Sequence, residues 1–326
     1  MLRLTVTTPS ALTDQVTELL ADSTAVSTLS VLRGAAVRPV GDVVLADVAR
    51  EGANDVVDQL RDLGVHEEGS LQLEPVTTWI SRPGFEAEVR TPGSSADAVV
   101  WAEVAQRSYD DSELNWTFLS FMTLATLIAG VAIVLDSQIL VIGAMVLGPE
   151  FGAIAALGVA LVRRRRLLLG VAVRALVVGF AVAIVVTCLA ALVARALGWV
   201  TVHDITGPRP STGFIYSPDK WTFIVAVLAA AAGVLSLTSA KVGGLSGVFI
   251  SVTTIPAAGN VALGLAFGAW HEVRGSGLQL LFNLVGMALA GWGTLALQRA
   301  VWSRVPVRRS PSKLARHVHA ERPPGR

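Results

Sequence analysis

The sequence has few charged residues and almost no cysteine. Only 16% of its 326 residues are Asp, Glu, Lys or Arg, whereas soluble globular domains carry about 25%. The single cysteine, Cys188, lies in an apolar run, so a disulfide framework is excluded and we interpret it as a small packed thiol. Zinc-ligand spacings, phosphate-binding glycine loops and nucleophile–base motifs are also missing from the sequence. We therefore expect a protein that is not an enzyme and that needs no metal or cofactor.

The shortage of charge is confined to one part of the chain. Residues before about 115 have a soluble composition, while residues 115–302 are apolar with sparse charge. The net charge of +1 combines these two unlike regions and gives no indication of a nucleic-acid partner. We predict an α+β protein with a soluble domain at 1–80, a linker and amphipathic connecting helix at 81–113, a polytopic α-helical membrane domain at 114–303 and a basic, disordered cytosolic tail at 304–326.

The first 80 residues alternate between strand and helix patterns. Helices are expected at 8–22 and 52–63, the second ended by Gly64 as a C-cap, and strands at 2–7, 25–32, 42–48 and 70–79. This order, βαββαβ, predicts a ferredoxin-like cytosolic domain.

The same order resembles the small ligand-sensing domains of the ACT-like type, whose ligands often lie near the first strand–helix turn. Thr8 and Ser10 occupy that turn here, which makes them candidates for binding a nucleotide or amino acid. A plain helix start, with Thr8 as N-cap and Pro9 in the first turn, needs the same residues and is the interpretation we favour.

Six apolar segments in the second part are each long enough to cross a bilayer, which takes about 20 residues. Basic residues predict their orientation, because Arg163–Arg166 follow the second segment and further arginines and lysines follow the sixth. Both termini are therefore expected in the cytoplasm, with the chain crossing the cell membrane several times. The six segments are 116–135, 138–162, 167–197, 221–240, 245–270 and 278–302.

Two of these segments contain a helix-breaking proline. Proline removes a backbone donor, and such breaks persist in a membrane only inside protein or beside a wet cavity. The two prolines share a Pro-x-x-Gly spacing in corresponding segments of two three-segment halves, which predicts inverted repeats with broken central helices, as in many transporters. The candidate ligand-binding residues at this membrane centre are Gly148, Pro149, Glu150, Thr253, Thr254, Pro256 and Asn260.

Each polar residue at the breaks also has a structural interpretation. Glu150 lies about 18 Å from either end of its segment, where a carboxylate is costly and a functional candidate. It would equally complement the positive N-terminus of the helix that follows Pro149. Thr253, Thr254 and Asn260 would satisfy backbone groups freed by the break. Arg174 is a candidate cation near Glu150, although the membrane interface is the location we favour for it.

Residues 120–153 resemble a family of uncharacterised prokaryotic membrane proteins, the hydrophobic domain of unknown function 389. The resemblance implies a multi-span membrane protein, often with a soluble extension, and it implies no activity. Asn-Ser is usual in the family where this chain has Asp136-Ser137, and an apolar residue is usual at Glu150, so a functional Glu150 would be a local specialisation. The residues that carry the resemblance are Leu127-Ile128-Ala129-Gly130, Asp136-Ser137, Ile142-Gly143-Ala144-Met145 and the Pro149 break.

These features favour a transporter or channel for a small solute or ion, modulated by a nucleotide or amino acid at the cytosolic domain. Two alternatives stay open: a membrane-anchored ligand-binding sensor, and a structural assembly protein without transport. Small residues throughout the apolar segments permit close helix packing, so we expect a homo-oligomer in contact with membrane lipids.

The predicted orientation can be tested by cysteine labelling in intact cells. In a Cys188→Ser background, a cysteine at Ser310 should react with a membrane-impermeant reagent only after lysis, because the C-terminus is expected inside. A cysteine at Thr201, in the loop expected outside, is the control and should react without lysis. Labelling at position 310 in intact cells would contradict the orientation.

Overall fold

The chain divides into two units, and each unit has its own hydrophobic core. The computed structural model describes residues 1–93, 98–216, 220–238 and 254–302. The first unit consists chiefly of Met1–Glu103, and the second of the described parts of Val104–Leu237 and Val242–Ala300. The first contains a sheet with helices and the second is helical, so the predicted α+β class is confirmed.

A four-stranded antiparallel sheet forms the first unit. Its strand order is β2-β3-β1-β4. Alternation of apolar and polar residues in β1 buries Leu2, Leu4 and Val6 on one face, where they join the core. The strands are β1 (Leu2–Thr8), β2 (Val26–Val37), β3 (Val40–Val48) and β4 (Ser70–Pro75).

The helices of the first unit partly match the sequence prediction. Gly64 ends the second helix region in the left-handed conformation with φ 75°, and its N–H donates to the Arg61 carbonyl, as expected of a C-cap glycine. The segment predicted as a polar linker contains α4, because the Ser81 hydroxyl accepts a hydrogen bond from the Gly84 N–H and caps a helix there. The helices are α1 (Thr13–Asp22), α2 (Ala53–Asp62), α3 (Val65–Glu68) and α4 (Arg82–Arg90), with a 3-10 turn at Arg50–Gly52.

The predicted start of α1 is wrong. Thr8 ends β1 and is paired with Asp42 of β3, so it does not cap the helix. The buried Asp42 carboxylate accepts hydrogen bonds from the Ser10 hydroxyl at 3.2 Å, the Thr13 hydroxyl at 2.7 Å and the Gly34 amide at 2.7 Å. These bonds to a distant strand anchor the turn, and the helix begins after it.

Helices account for most of the second unit. Asn115 and Ser137 accept hydrogen bonds from the backbone amides of Phe118 and Leu140, and these caps fix the starts of two helices. The helices are α5 (Trp101–Asp111), which begins in the first unit, α6 (Trp116–Val134), α7 (Gln138–Leu147), α8 (Glu150–Arg163), α9 (Arg166–Ala196), α10 (Val202–Thr206), α11 (Lys220–Thr238), α12 (Thr254–Phe267) and α13 (Trp270–Trp302).

Three of the described helices, α6, α9 and α13, are long and apolar enough to cross a membrane. The pair α7–α8 meets the same criteria as one span with a bend of 56°, while the apolar stretches of α11 and α12 are shorter. Six spans and an inverted repeat therefore stay predictions. Residues 245–253 of the fifth predicted segment and the predicted tail at 304–326 lie outside the described residues.

The last predicted segment begins eight residues too late. His271–Arg274 lie between the fifth and sixth predicted segments, but these residues form the first turns of α13. Gly268, with φ 72°, ends the preceding α12, and α13 starts at once. Charged residues near the start of α13 led to the late predicted start, whereas the helix described has 33 residues.

We expect Asp42→Asn to destabilise the first unit. Hydrogen bonds from the Gly34 amide and the Thr13 hydroxyl hold the pKa of Asp42 below its usual value. Its ionised form therefore stabilises the fold above the unfolded pKa of about 3.9, and this stabilisation is lost as the pH falls through the lower folded pKa. Hydrogen exchange across β2 and β3 should accelerate in the variant at neutral pH and depend less on acid than in the wild type.

Asp14→Asn is the matched control. Both carboxylates contact Arg33, but the Asp14 side chain is 84% exposed and that of Asp42 only 2% exposed. An exposed pair contributes little to stability. Equal exchange rates in the two variants would show that the buried network does not anchor this turn.

Candidate functional site

The predicted helix break at Pro149 is confirmed. Helix α7 ends at Leu147 and α8 begins at Glu150, with an angle of 56° between them. Gly148 has extended backbone angles and Pro149 precedes the first helical residue. Because proline has no N–H, a carbonyl at the end of α7 loses its helical partner. The break therefore exposes polar backbone within an apolar region.

A buried carboxylate occupies the break. Glu150 is only 1% exposed, and its Oε1 accepts a hydrogen bond of 2.7 Å from the Thr254 hydroxyl. Glu150 is the first residue of α8, and Thr254 is the first described residue of α12. The positive N-terminus of α8 and the Thr254 hydroxyl thus meet at one carboxylate. The structure brings these two candidate residues together across 104 positions of sequence.

Two other candidate residues, Gly148 and Pro256, lie close to this contact in the sequence. A Cβ at position 148 would collide with Glu150 Oε2 and come within 2.8 Å of Ile255 Cγ1, so glycine is required for the carboxylate to fold back over the break. Pro256 lies within α12, which is continuous over the described residues Thr254–Phe267, so the predicted break is not present among them. The candidate Thr253 lies outside the described residues.

A cleft of about 520 Å³ adjoins the break. Gly148, Pro149 and Gly152 form part of its wall, and three carboxylates and one arginine form another part. Burial raises the pKa of Asp111, and the neighbouring charge of Asp110 raises it further. The charged lining residues are Arg107, Asp110, Asp111 and Glu113.

Comparison with known proteins identifies the region that contains this site. Residues 145–289 match the family model described as a domain of unknown function, DUF389. The family resemblance seen in the sequence is thereby confirmed. No curated protein and no solved structure matches the chain. The DUF389 region includes Glu150 and Thr254, but its description carries no activity, so the function has to be argued from the residues.

Asn260 belongs to a second cluster in the DUF389 region. Its side-chain oxygen accepts from Arg209 at 3.1 Å, and its amide donates to Glu272 and to Ser276, both at 2.8 Å. Arg209 also pairs with Glu272 at 2.8 Å. All four residues are buried. Asn260 follows Thr254 by six residues, about 9 Å along α12, and it holds this ion pair.

This buried ion pair was not predicted from the sequence. Arg209 and Glu272 both lie between predicted membrane segments, where charged residues are common. The prolines on either side of Arg209, Pro208 and Pro210, were the available sign of a fixed conformation. Neither proline identifies Glu272, 63 residues away, as the partner of Arg209.

Asp136 fixes a loop beside the second cluster. It accepts backbone hydrogen bonds from Ser211 at 3.2 Å and Thr212 at 2.9 Å, and one from the Thr212 hydroxyl at 2.7 Å. Burial acts to raise the pKa of Asp136, but these hydrogen bonds outweigh it and lower the pKa. Asp136 therefore has a structural role, since it anchors the loop at Ser211–Thr212.

The remaining candidate residues make local contacts. The Thr8 hydroxyl donates to the Pro9 carbonyl at 3.4 Å, and the Ser10 hydroxyl donates to Asp42. The Thr8 hydroxyl therefore has its partner within the turn, and the Ser10 hydroxyl has its partner on β3. Arg174 is exposed on α9, whereas Glu150 is buried, which favours the interfacial interpretation of this arginine.

The close approach at position 148 gives a stability prediction. We expect Gly148→Ala to lower the free energy of unfolding by about 1–3 kcal/mol, because the added methyl group must displace Glu150 or Ile255. Thermal unfolding of the purified protein in detergent measures the change.

Gly143→Ala on α7 is the control, since a Cβ there meets no atom within 4 Å. Alanine in a helix interior is favoured over glycine, so this variant should be neutral or stabilised by up to ~1 kcal/mol. A Gly148→Ala protein as stable as Gly143→Ala would mean that the Glu150 side chain adopts another position.

Proposed function

We propose that the protein is an integral membrane transporter or channel for small cations. The observation that carries the proposal is the buried Glu150 carboxylate at a broken apolar helix, beside a cleft of about 520 Å³. A carboxylate at membrane depth is expensive, and such residues commonly mark ion pathways. The apolar helices and the DUF389 match are compatible with a membrane protein of this kind.

The charges around the break favour a cation over an anion. The N-terminus of α8 would attract an anion, but Glu150 already supplies the negative charge there. The cleft is lined by three carboxylates and one arginine, which gives it a negative potential while the acids are ionised. The C-terminus of α7 adds carbonyl oxygens and a negative partial charge, and both suit a cation.

These groups suggest a path for the cation. It would enter the cleft past Asp110 and Asp111, lose part of its hydration against the carbonyls near Pro149, and meet the Glu150 carboxylate. Protonation of Asp111, whose pKa is raised, would weaken entry at a higher pH than an ordinary aspartate would.

The proposal also includes several predictions that were made from the sequence. The strand order β2-β3-β1-β4 supports a ferredoxin-like plan for the first unit. The contact between Glu150 and Thr254 joins two helices that share a Pro-x-x-Gly spacing, which supports inverted repeats. Three parts of the proposal rest on the sequence alone. These are a homo-oligomer in the cell membrane, both termini in the cytoplasm, and a small ligand that modulates the cytosolic domain. No catalytic role is proposed.

Glu150→Gln tests the role of the carboxylate. In liposomes containing the purified protein, uptake of Na⁺, K⁺ or H⁺ should fall by at least about tenfold, because a hydrogen bond to a charged group contributes ~1.5–3 kcal/mol and the charge itself is lost. The remaining flux should also depend less on pH. Fluorescent ion indicators inside the liposomes measure both quantities.

Thr254→Ser is the matched control, since it keeps the hydroxyl that donates to Glu150 and should retain most of the flux. Thr254→Val removes only that donor and should reduce the flux. Unaltered cation flux in a folded Glu150→Gln protein would remove the role assigned to this carboxylate. Absence of flux in the wild type for every ion tested would count against transport itself.

A further inference from the structure

An apolar groove of about 310 Å³ runs between α6, α9 and α12, apart from the break. Val131, Leu135 and Trp199 line it and are more than half exposed, so the groove is open at the surface of the helical unit. Both α6 and α9 are candidate membrane spans. The lining consists of Leu127, Gly130, Val131, Val134, Leu135, Thr187, Ala190, Ala191, Ala194, Trp199, Val200, Leu263 and Phe267.

One polar group in this lining has no hydrogen-bond partner among the described residues. Thr187 is 2% exposed, and its hydroxyl oxygen is buried without an acceptor or donor. Its methyl group faces Gly130, where an added Cβ would lie 3.4 Å away. A buried hydroxyl without a partner costs free energy, so a ligand that supplies an acceptor at this point would be favoured.

A positive charge stands at one end of the groove. The Arg195 guanidinium lies 5.4 Å from the centre of the Phe267 ring, which is part of the lining, and donates to the Ala266 carbonyl at 2.9 Å. Thr187 precedes Arg195 by about two turns of α9, or about 12 Å. Helix side chains lean toward the N-terminus, and because the Arg195 side chain is the longer of the two, this shortens the gap between the two polar groups. Trp199, next to this end, is of the type found at membrane interfaces.

We propose that this groove binds one acyl chain of an anionic phospholipid. The chain lies along the apolar lining and the phosphate contacts Arg195. An ester carbonyl below the phosphate accepts from the Thr187 hydroxyl once rotation of that side chain turns the hydroxyl toward the groove. A membrane phospholipid has these three groups in this order: a negative headgroup, ester acceptors and a long apolar chain. The site is independent of the cation path through the break.

Ala190→Trp tests the proposal by filling the groove from an exposed position of its wall. The full-length protein would be reconstituted with equal amounts of phosphatidylglycerol and phosphatidylcholine, extracted, and examined by native mass spectrometry. The wild type should retain a phosphatidylglycerol molecule that Ala190→Trp loses. Leu189→Trp is the matched control, because Leu189 is 57% exposed and lies outside the lining, and it should retain the lipid.

Arg195→Gln tests the headgroup contact. The preference for phosphatidylglycerol over phosphatidylcholine should fall about fivefold, the effect expected of one basic residue near an anionic headgroup. Arg174→Gln, an exposed arginine of α9 outside the lining, should leave the preference unchanged. Thr187→Val should reduce retention of both lipids. Equal lipid retention by the wild type and Ala190→Trp, or an unchanged preference in Arg195→Gln, would overturn the assignment.

Discussion

The hydrogen bond between Glu150 and Thr254 joins two distant parts of the helical unit. Helix α8 begins at Glu150, and its N-terminus carries roughly half a positive elementary charge. A carboxylate at this position complements that helix end and, at the same time, accepts a hydrogen bond from α12. The broken span and α12 are therefore held together by the same group on which the proposed cation site depends.

Features fixed by neighbouring residues could be predicted from the sequence. The bend at Pro149, the glycine that ends a helix at Gly64 and the starts of α6 and α7 each follow from side chains within three or four residues. Helix propensity and capping act over that range, so the local sequence is enough to predict these helix ends and this bend.

Features fixed by distant residues were missed or misplaced. Helix α1 starts late because Asp42 on β3 holds the turn before it. Asn260 is in the right helix but serves the Arg209–Glu272 pair and not the Glu150 contact. The sequence did not show which residues of α12 lie close together in space. Thr254 and Asn260, which belong to two separate clusters, were therefore assigned to one candidate site.

If α13 spans a bilayer, its length determines where the Arg209–Glu272 pair lies. Its 33 described residues extend about 50 Å, against a hydrocarbon thickness of ~30 Å. Even at a tilt of ~40°, near the upper limit for membrane helices, its height along the bilayer normal would exceed the hydrocarbon thickness by about 8 Å. The polar first turns that include Glu272 would be the part that protrudes. The ion pair would then be desolvated by protein and not by lipid, and its stability would not vary with bilayer thickness. Helix α6, with 19 residues, would have no such reserve and would be the span that responds to hydrophobic mismatch.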